Sequence, residues 1–281
     1  MTVRHHLFQR EPQRERIGHE AETKNAMEPF EFIVFNDGYN INTKFNLHAE
    51  QASGPGIDTE CARLGIEHHR VPWTLFDVES TSDPSWRTYI GLQYALDMFA
   101  KPYPGYVVLM DSDMFWSAPF SVKEYLKGHA WAAIPQTRSA GNNTITYVYN
   151  GILLFNMMMF PYKAELNFKL DGYDPGGYTR RYLSKHPDAY PRWIPHVMSQ
   201  TIRTDQEIIN LNLSMRFDAF LKKELSLSDG ALYSEVIFEG RQLYHYRSGS
   251  NWNMKPPSYH KERFRLLSEF LTQYLTDKRY T

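Results

Sequence analysis

Four consecutive apolar residues, Val107 to Met110, run directly into Asp111-Ser112-Asp113. An uninterrupted apolar run of this length reads as a strand covered on both faces, the kind found in layered α/β folds. Two carboxylates at i and i+2 then lie at the carboxyl edge of the sheet, where open α/β sheets hold their ligands. Carboxylate oxygens are hard donors suited to Mg²⁺ or Mn²⁺, and such an ion neutralises a diphosphate. An isolated Asp-x-Asp is a weak signal, because most such triplets are solvated turns. The strand in front of this one and the order of motifs behind it give it weight.

The flanking segments support an α/β reading. Phe30-Glu-Phe-Ile-Val-Phe35 is the first convincing strand and ends in the turn signal Asn36-Asp37-Gly38. A helix is expected over 45–64, broken at Ser53-Gly-Pro-Gly56, followed by a strand over 65–72. Residues 86–100 carry Tyr89, Ile90, Leu92, Leu96, Met98 and Phe99 at mostly helical spacing, and Lys101-Pro-Tyr-Pro-Gly105 stops that helix. Strand, helix, strand, helix, strand argues for a mostly parallel central sheet flanked by helices. Further elements are a short helix at 121–128, a strand at 131–135, and a strand over 147–156 interrupted at Asn150-Gly151. A helix opens at Thr204 or Asp205, a late strand spans 242–246, and an amphipathic helix closes the chain at 259–277. Residues 1–29 alternate charges without an apolar period and read as a polar tail or surface helix. Residues 30–281 read as one domain, with no linker that would split it.

Composition excludes some classes. The chain has 281 residues, with 31 Lys and Arg against 32 Asp and Glu, and the net charge of −1 makes no electrostatic case for nucleic acid. Its single cysteine, Cys61, forbids an internal disulfide and reads as a packing residue. No apolar run reaches the length of a membrane span, and the N-terminus has no secretory pattern. These readings make a cytoplasmic protein the expectation, and the sequons at Asn142 and Asn212 chance matches.

Asn36-Asp37-Gly38, Asp111-Ser112-Asp113, Tyr149-Asn150-Gly151 with its apolar tail, Asp205-Gln206-Glu207 at a helix start, and His245-Tyr-Arg247-Ser-Gly249 continuing to Lys255-Pro follow one another in that order. Over roughly residues 30–257 the chain resembles the glycogenin-like, family 8 type of GT-A fold glycosyltransferase. The resemblance implies a GT-A α/β fold and transfer of a sugar from a nucleotide-sugar donor, with UDP as the expected nucleotide. The acceptor would be a hydroxyl of a glycan, protein or small molecule, and the anomeric configuration would be retained; were the likeness only to the wider fold, Asp205 would instead be the general base of an inverting reaction. It implies that Asp111, Asp113 and His245 hold the metal, Mn²⁺ or Mg²⁺, with the imidazole favouring Mn²⁺. Asp111 and Ser112 would also face the donor, and Asn36 and Asp37 its base and ribose. Arg87 would help to hold the donor. Asn150 and Gly151 would lie near the donor sugar, with Gly151 allowing close backbone approach. Gly249 and Lys255 would face the diphosphate. Asp205 and Gln206 would stand near the anomeric carbon and the acceptor.

Each of these has a plainer reading. Asn36-Asp37-Gly38 is a common turn, Asn150-Gly151 a strand bulge, Asp205 a helix cap, His245 a hydrogen-bonded core histidine, and Lys255 a surface charge. The chain also departs from the family pattern. The spacing from His245 to Lys255 is longer than the family's, which makes Arg247 the alternative phosphate partner. Glu207 stands where the family has Asp. The 171–203 segment has no family counterpart and by position would form the acceptor side, with Arg180, Arg181, Trp193 and Arg203 as contacts. Two rival classes stand beside the transferase. A nucleotidyltransferase on a similar sheet would carry a Gly-rich phosphate loop that Phe35-Asn-Asp-Gly38 matches poorly. A non-catalytic sugar-nucleotide or glycan binder stays open, with the intact Asp111, Asp113 and His245 arguing against it.

Overall fold

The computed structural model describes residues 3–8, 26–37, 54–76, 84–140, 143–198, 201–228, 230–237, 243–247 and 256–276. The chain divides into two compact units. One gathers the described residues of Met1–Glu15, Glu28–Ser112 and Ser121–Ile194, and the other those of Arg16–Met27, Asp113–Phe120 and Pro195–Thr281.

The strands in chain order are β1 (Val3–Phe8), β2 (Phe30–Asn36), β3 (Glu67–Arg70), β4 (Tyr106–Asp111), β5 (Met114–Trp116), β6 (Trp131–Ala140), β7 (Asn143–Asn156), β8 (Arg192–Trp193), β9 (His196–Val197), β10 (Glu235–Ile237) and β11 (Leu243–His245). In the first unit seven of them form one sheet in the order β3-β2-β1-β4-β7-β6-β8. β3, β2, β1 and β4 run parallel, and β7 pairs antiparallel with both β4 and β6. Phe32 to Asn36 are all buried, as are Val107 to Met110, so both strands are covered on both faces as their apolar runs required. The core gathers Ile33, Phe35, Leu109, Trp131 and Phe155, with Leu92 and Leu96 of the helix that runs through Pro84–Ala95. That helix opens on proline, which suits the first helical position. It ends in a wider turn over Leu96–Ala100, where Lys101 N–H donates to the Leu96 carbonyl at 2.8 Å. Cys61 is buried in the helix Gly54–Leu64 and forms no disulfide among the described residues.

The structure differs from the sequence reading at the N-terminus. Residues 3–8 are not part of a polar tail: they form β1, between β2 and β4, paired residue for residue with both. The segment Val-Arg-His-His-Leu-Phe carries too little apolar pattern to announce a central strand. Its strand state is set by pairing along both edges, which satisfies its backbone donors and acceptors. Phe30–Asn36 is therefore the second strand of the sheet, and one strand separates it from the Asp-x-Asp strand.

The second unit is built on a four-stranded antiparallel sheet in the order β5-β11-β10-β9. The helices Met215–Leu227 and Pro257–Thr276 belong to its core, where Phe217, Phe220 and Phe270 stack with ring centroids 4.6 to 6.0 Å apart. Among the described residues, no helix is long and apolar enough to cross a membrane.

Candidate active site

Four parallel strands of the first unit end in register. Arg70 pairs with Asn36 at the ends of β3 and β2, and Phe8 pairs with both Phe35 and Asp111 at the ends of β1, β2 and β4. One residue beyond the last β4–β7 pair, Met110 with Ile152, come Asp111 and Gly151. Asn36, Asp111 and Gly151 thus share one sheet edge. With neighbouring strands about 4.8 Å apart, Asn36 and Asp111 are separated by roughly 10 Å. The strand order turns from descending to ascending between β1 and β4, and a reversal of this kind opens a crevice at the carboxyl ends of the strands.

The polar groups on this edge are held in place. Asn36 is fully buried, and its Nδ2 donates to Asp58 Oδ1 at 2.8 Å. Arg70 Nε donates to the other oxygen of the same carboxylate at 2.6 Å. Asp37 is buried beside Arg87, with Nε 3.7 Å from Oδ2. Asp58, the partner of Asn36, and Arg87, the partner of Asp37, come from elements distant in sequence from Asn36-Asp37, which therefore forms part of an organised polar cluster. Asn150 and Gly151 lie where the β6–β7 register slips: Ala133 pairs with Leu153, but Ile134 pairs with Tyr149. The extra residues make a bulge, the geometry of the plainer reading, at the edge that carries Asp111. Asn150 is buried, yet its amide forms no side-chain hydrogen bond among the described residues. The bulge is pinned by the loop that precedes the helix Thr179–Lys185. Val148 N–H donates to Thr179 Oγ1 at 2.9 Å, and Gly176 packs against the Val148 carbonyl with φ at +99°.

Asp111 closes β4 in the first unit, Ser112 follows in a half-buried turn, and Asp113 opens the β5 segment of the second. In that second unit Asp113 meets His245. Its Oδ1 lies 3.3 Å from His245 Nε2, and its backbone carbonyl accepts from Tyr246 N–H at 2.8 Å. His245 Nδ1 bonds Glu235 Oε2 at 2.9 Å. Burial of the ring opposes a charge on it, but the Asp113 carboxylate, seconded by Glu235, outweighs that and raises the imidazole to about 10. Arg247, just beyond the strand, adopts φ +46°, with its guanidinium 5.3 Å from the Tyr233 ring centre and 3.9 Å from Glu235.

Asp205 and Gln206 sit elsewhere in the second unit's chain. The helix Asp205–Ile209 is capped by Thr204, whose hydroxyl accepts from Glu207 N–H at 3.2 Å. Glu207 closes the box by accepting from the Arg203 and Thr204 N–H groups, which hold its carboxyl below the usual range. Asp205 and Gln206 are both exposed, Gln206 bonds Asn210, and no side-chain hydrogen bond among the described residues links either to Asp113 or His245. In the 171–203 segment, Arg180 and Arg181 share Asp171, and Trp193 lies in the edge strand β8. Gly249 and Lys255 lie outside the described residues.

Sequence reasoning missed Glu235, Asp58 and Arg70. No local pattern marks them, because each becomes a neighbour of a site residue only through strand register or helix packing.

No protein-family model matches the chain, and no curated protein matches it. Solved structures do match, and those below are of glycosyltransferases. The apo form of the bifunctional glycosyltransferase WbbM is 14% identical, over 56% of this chain and 31% of that one, with a TM-score of 0.33. The apo form of the glycosyltransferase GlyE from Streptococcus pneumoniae TIGR4 is 11% identical, over 98% of this chain and 64% of that one, at 0.41. Mouse xyloside xylosyltransferase 1, also apo, is 10% identical, over 91% of this chain and 99% of that one, at 0.41. The chain spans about a third of WbbM and just under two thirds of GlyE. At these identities and TM-scores the likeness identifies neither the substrate nor the chemistry of this chain.

Proposed function

We propose that this chain is a metal-dependent glycosyltransferase that moves a sugar from a nucleotide-sugar donor to an acceptor hydroxyl. The observation that carries the reading is the shared carboxyl edge of Asn36, Asp111 and Asn150-Gly151, followed two residues later in the chain by a carboxylate paired with a buried histidine.

The donor atoms suit a divalent cation. Two ligands at right angles on an ion with bonds of about 2.1 Å lie about 3 Å apart. The 3.3 Å between His245 Nε2 and Asp113 Oδ1 is close to that spacing. Among the described residues no group of three His, Cys, Asp or Glu is assembled to hold an ion. The pair supplies two ligands, and a role for Asp111 as a third rests on the family resemblance. A mixed nitrogen and oxygen set favours Mn²⁺ over Mg²⁺. The bound ion would neutralise charge on the diphosphate leaving group.

The remaining roles belong to the chain's own side chains. Asn36 and Asp37, held by Asp58 and Arg87, face the nucleoside. The Asn150 amide, with no hydrogen bond among the described residues, bonds the donor sugar. Arg247 stands beside the diphosphate. The bond from the anomeric carbon to the diphosphate oxygen breaks, the acceptor oxygen bonds that carbon, and the hydroxyl proton leaves with the nucleoside diphosphate. A UDP donor, retention of configuration and roles for Asp205 and Gln206 near the reacting carbon rest on the family resemblance.

Release of nucleoside diphosphate from a panel of nucleotide sugars, with Mn²⁺ or with EDTA, tests this. Wild type should hydrolyse one donor slowly in Mn²⁺, and EDTA or Asp113→Ala should each lower the rate at least about a hundredfold, as loss of a main charge-stabilising group does. Absence of hydrolysis together with absence of Mn²⁺-dependent nucleoside diphosphate binding would overturn the proposal.

A further inference from the structure

We infer that Glu235 is a positioning residue that sets the ring orientation and tautomer of His245. The inference rests on the metal-site reading above and adds to it a residue that no sequence motif marks.

Glu235 and His245 are directly paired across β10 and β11, so their side chains stand on the same face of the sheet. The contact is short, 2.9 Å from Oε2 to Nδ1, and both side chains are largely shielded, at 13% and 4% exposure. A carboxylate acts only as an acceptor, so the bond keeps a proton on Nδ1. Nε2 is then the atom turned toward Asp113, at 3.3 Å.

The backbone contacts around His245 do not by themselves choose between the two ring orientations. The β5–β11 register pairs His245 with Met114, and the Tyr246 N–H donates to the Asp113 carbonyl. These bonds locate the His245 Cα relative to Asp113, while a half-turn about χ2 would put Cδ2 and Cε1 where Nδ1 and Nε2 stand. Glu235 bonds Nδ1 on the side of the ring away from Asp113 and thereby favours the orientation observed. Its second oxygen, 3.9 Å from Arg247 Nε, lets the same carboxylate brace the residue proposed for the diphosphate. A ligand histidine oriented by a carboxylate is also the more basic donor.

The test measures Mn²⁺ binding directly, by the loss of the free-ion EPR signal, on the full chain without donor. Wild type should bind saturably. Glu235→Gln, with folding checked by circular dichroism, should bind about 10 to 100-fold more weakly. A merely structural role would lower the unfolding midpoint and leave the affinity of the folded protein unchanged. Equal affinity in wild type and a folded Glu235→Gln would overturn this inference while leaving the metal site standing. Absence of saturable binding by wild type would overturn the metal site and the inference together. If Glu235→Gln does not fold, Glu235→Asp carries the test: its carboxylate stops one methylene short, weaker binding is expected, and wild-type affinity would overturn the inference.

Discussion

In the seven-stranded sheet, Ile33, Val34 and Phe35 of β2 and Val107, Val108 and Leu109 of β4 are fully buried, and the buried polar groups Asn36, Asp37 and Asn150 lie at strand ends or in a bulge. In the four-stranded unit, charges enter the core itself. Glu224 and Arg263, each 1% exposed, meet at 2.7 Å between two helices. Ser234 and the Tyr244 hydroxyl bond the same glutamate, and Arg263 lies over Tyr246, 4.2 Å from its ring centre. Arg263 also donates to the Tyr246 carbonyl at 2.5 Å, so the network fastens the chain directly after His245. Strand alternation along β11 sends Tyr244 toward this network and His245 toward Asp113 and Glu235. Continuous apolar runs bury Phe32 to Phe35 of β2 and Val107 to Met110 of β4 without any charge among them. Three-residue strands are too short for such runs, and here paired charges accompany them.

The contrast can be broken most forcefully at Arg263. Arg263→Ala leaves Glu224 charged and buried without its partner, and should cost about 3–5 kcal/mol. Urea unfolding at neutral pH measures it, and a cost below about 1 kcal/mol would show that the charges contribute little to the second unit. A smaller effect is expected in the first unit at Gly176, where φ is +99° and a Cβ would lie 2.2 Å from the Val148 carbonyl oxygen. Gly176→Ala should cost of order 1–3 kcal/mol through backbone strain, plus the displacement of the loop from β7. Thermal unfolding reads the loss, and a wild-type midpoint would mean that the loop does not depend on this close approach.

The smallest effect tests a half-buried acid whose Oδ1 is shielded from solvent. Burial pushes the Asp218 carboxyl up, with Lys222 opposing, and Oδ1 has no hydrogen-bond partner among the described residues. The folded state therefore binds the proton more readily than the unfolded one. Stability from this group is present at acid pH and is lost as pH rises through the folded pKa. Asp218→Asn should be neutral or stabilising at pH 7 by no more than about 0.5 kcal/mol, and the gain should vanish below both carboxyl pKa values. Destabilisation at pH 7 would mean that the charge is favoured in the fold, as a first-turn acid can be.

Much of the edge was legible in advance. The apolar run before Asp111 reads as a buried strand because covering on both faces demands such a run. Asn36-Asp37 and Asn150-Gly151 carry turn and bulge chemistry that marks chain ends and kinks. The helix start at Thr204 or Asp205 was legible too, and the structure decides for Thr204 through a capping box with Glu207. It assigns Glu207 a structural task and leaves Asp205 and Gln206 exposed on the first turn of a short helix.

What the sequence by itself determined is whatever rests on interactions between near neighbours in the chain: apolar runs, helix starts, turn residues, the Asp-x-Asp pair at a strand end. Tertiary structure alone decided that residues 3–8 form a central strand, that Asp111 and Asp113 belong to different units, and that Glu235 stands opposite His245. Each of these depends on pairing between segments far apart in sequence. Backbone hydrogen bonds supply that pairing without reading side chains, so no local pattern has to record it.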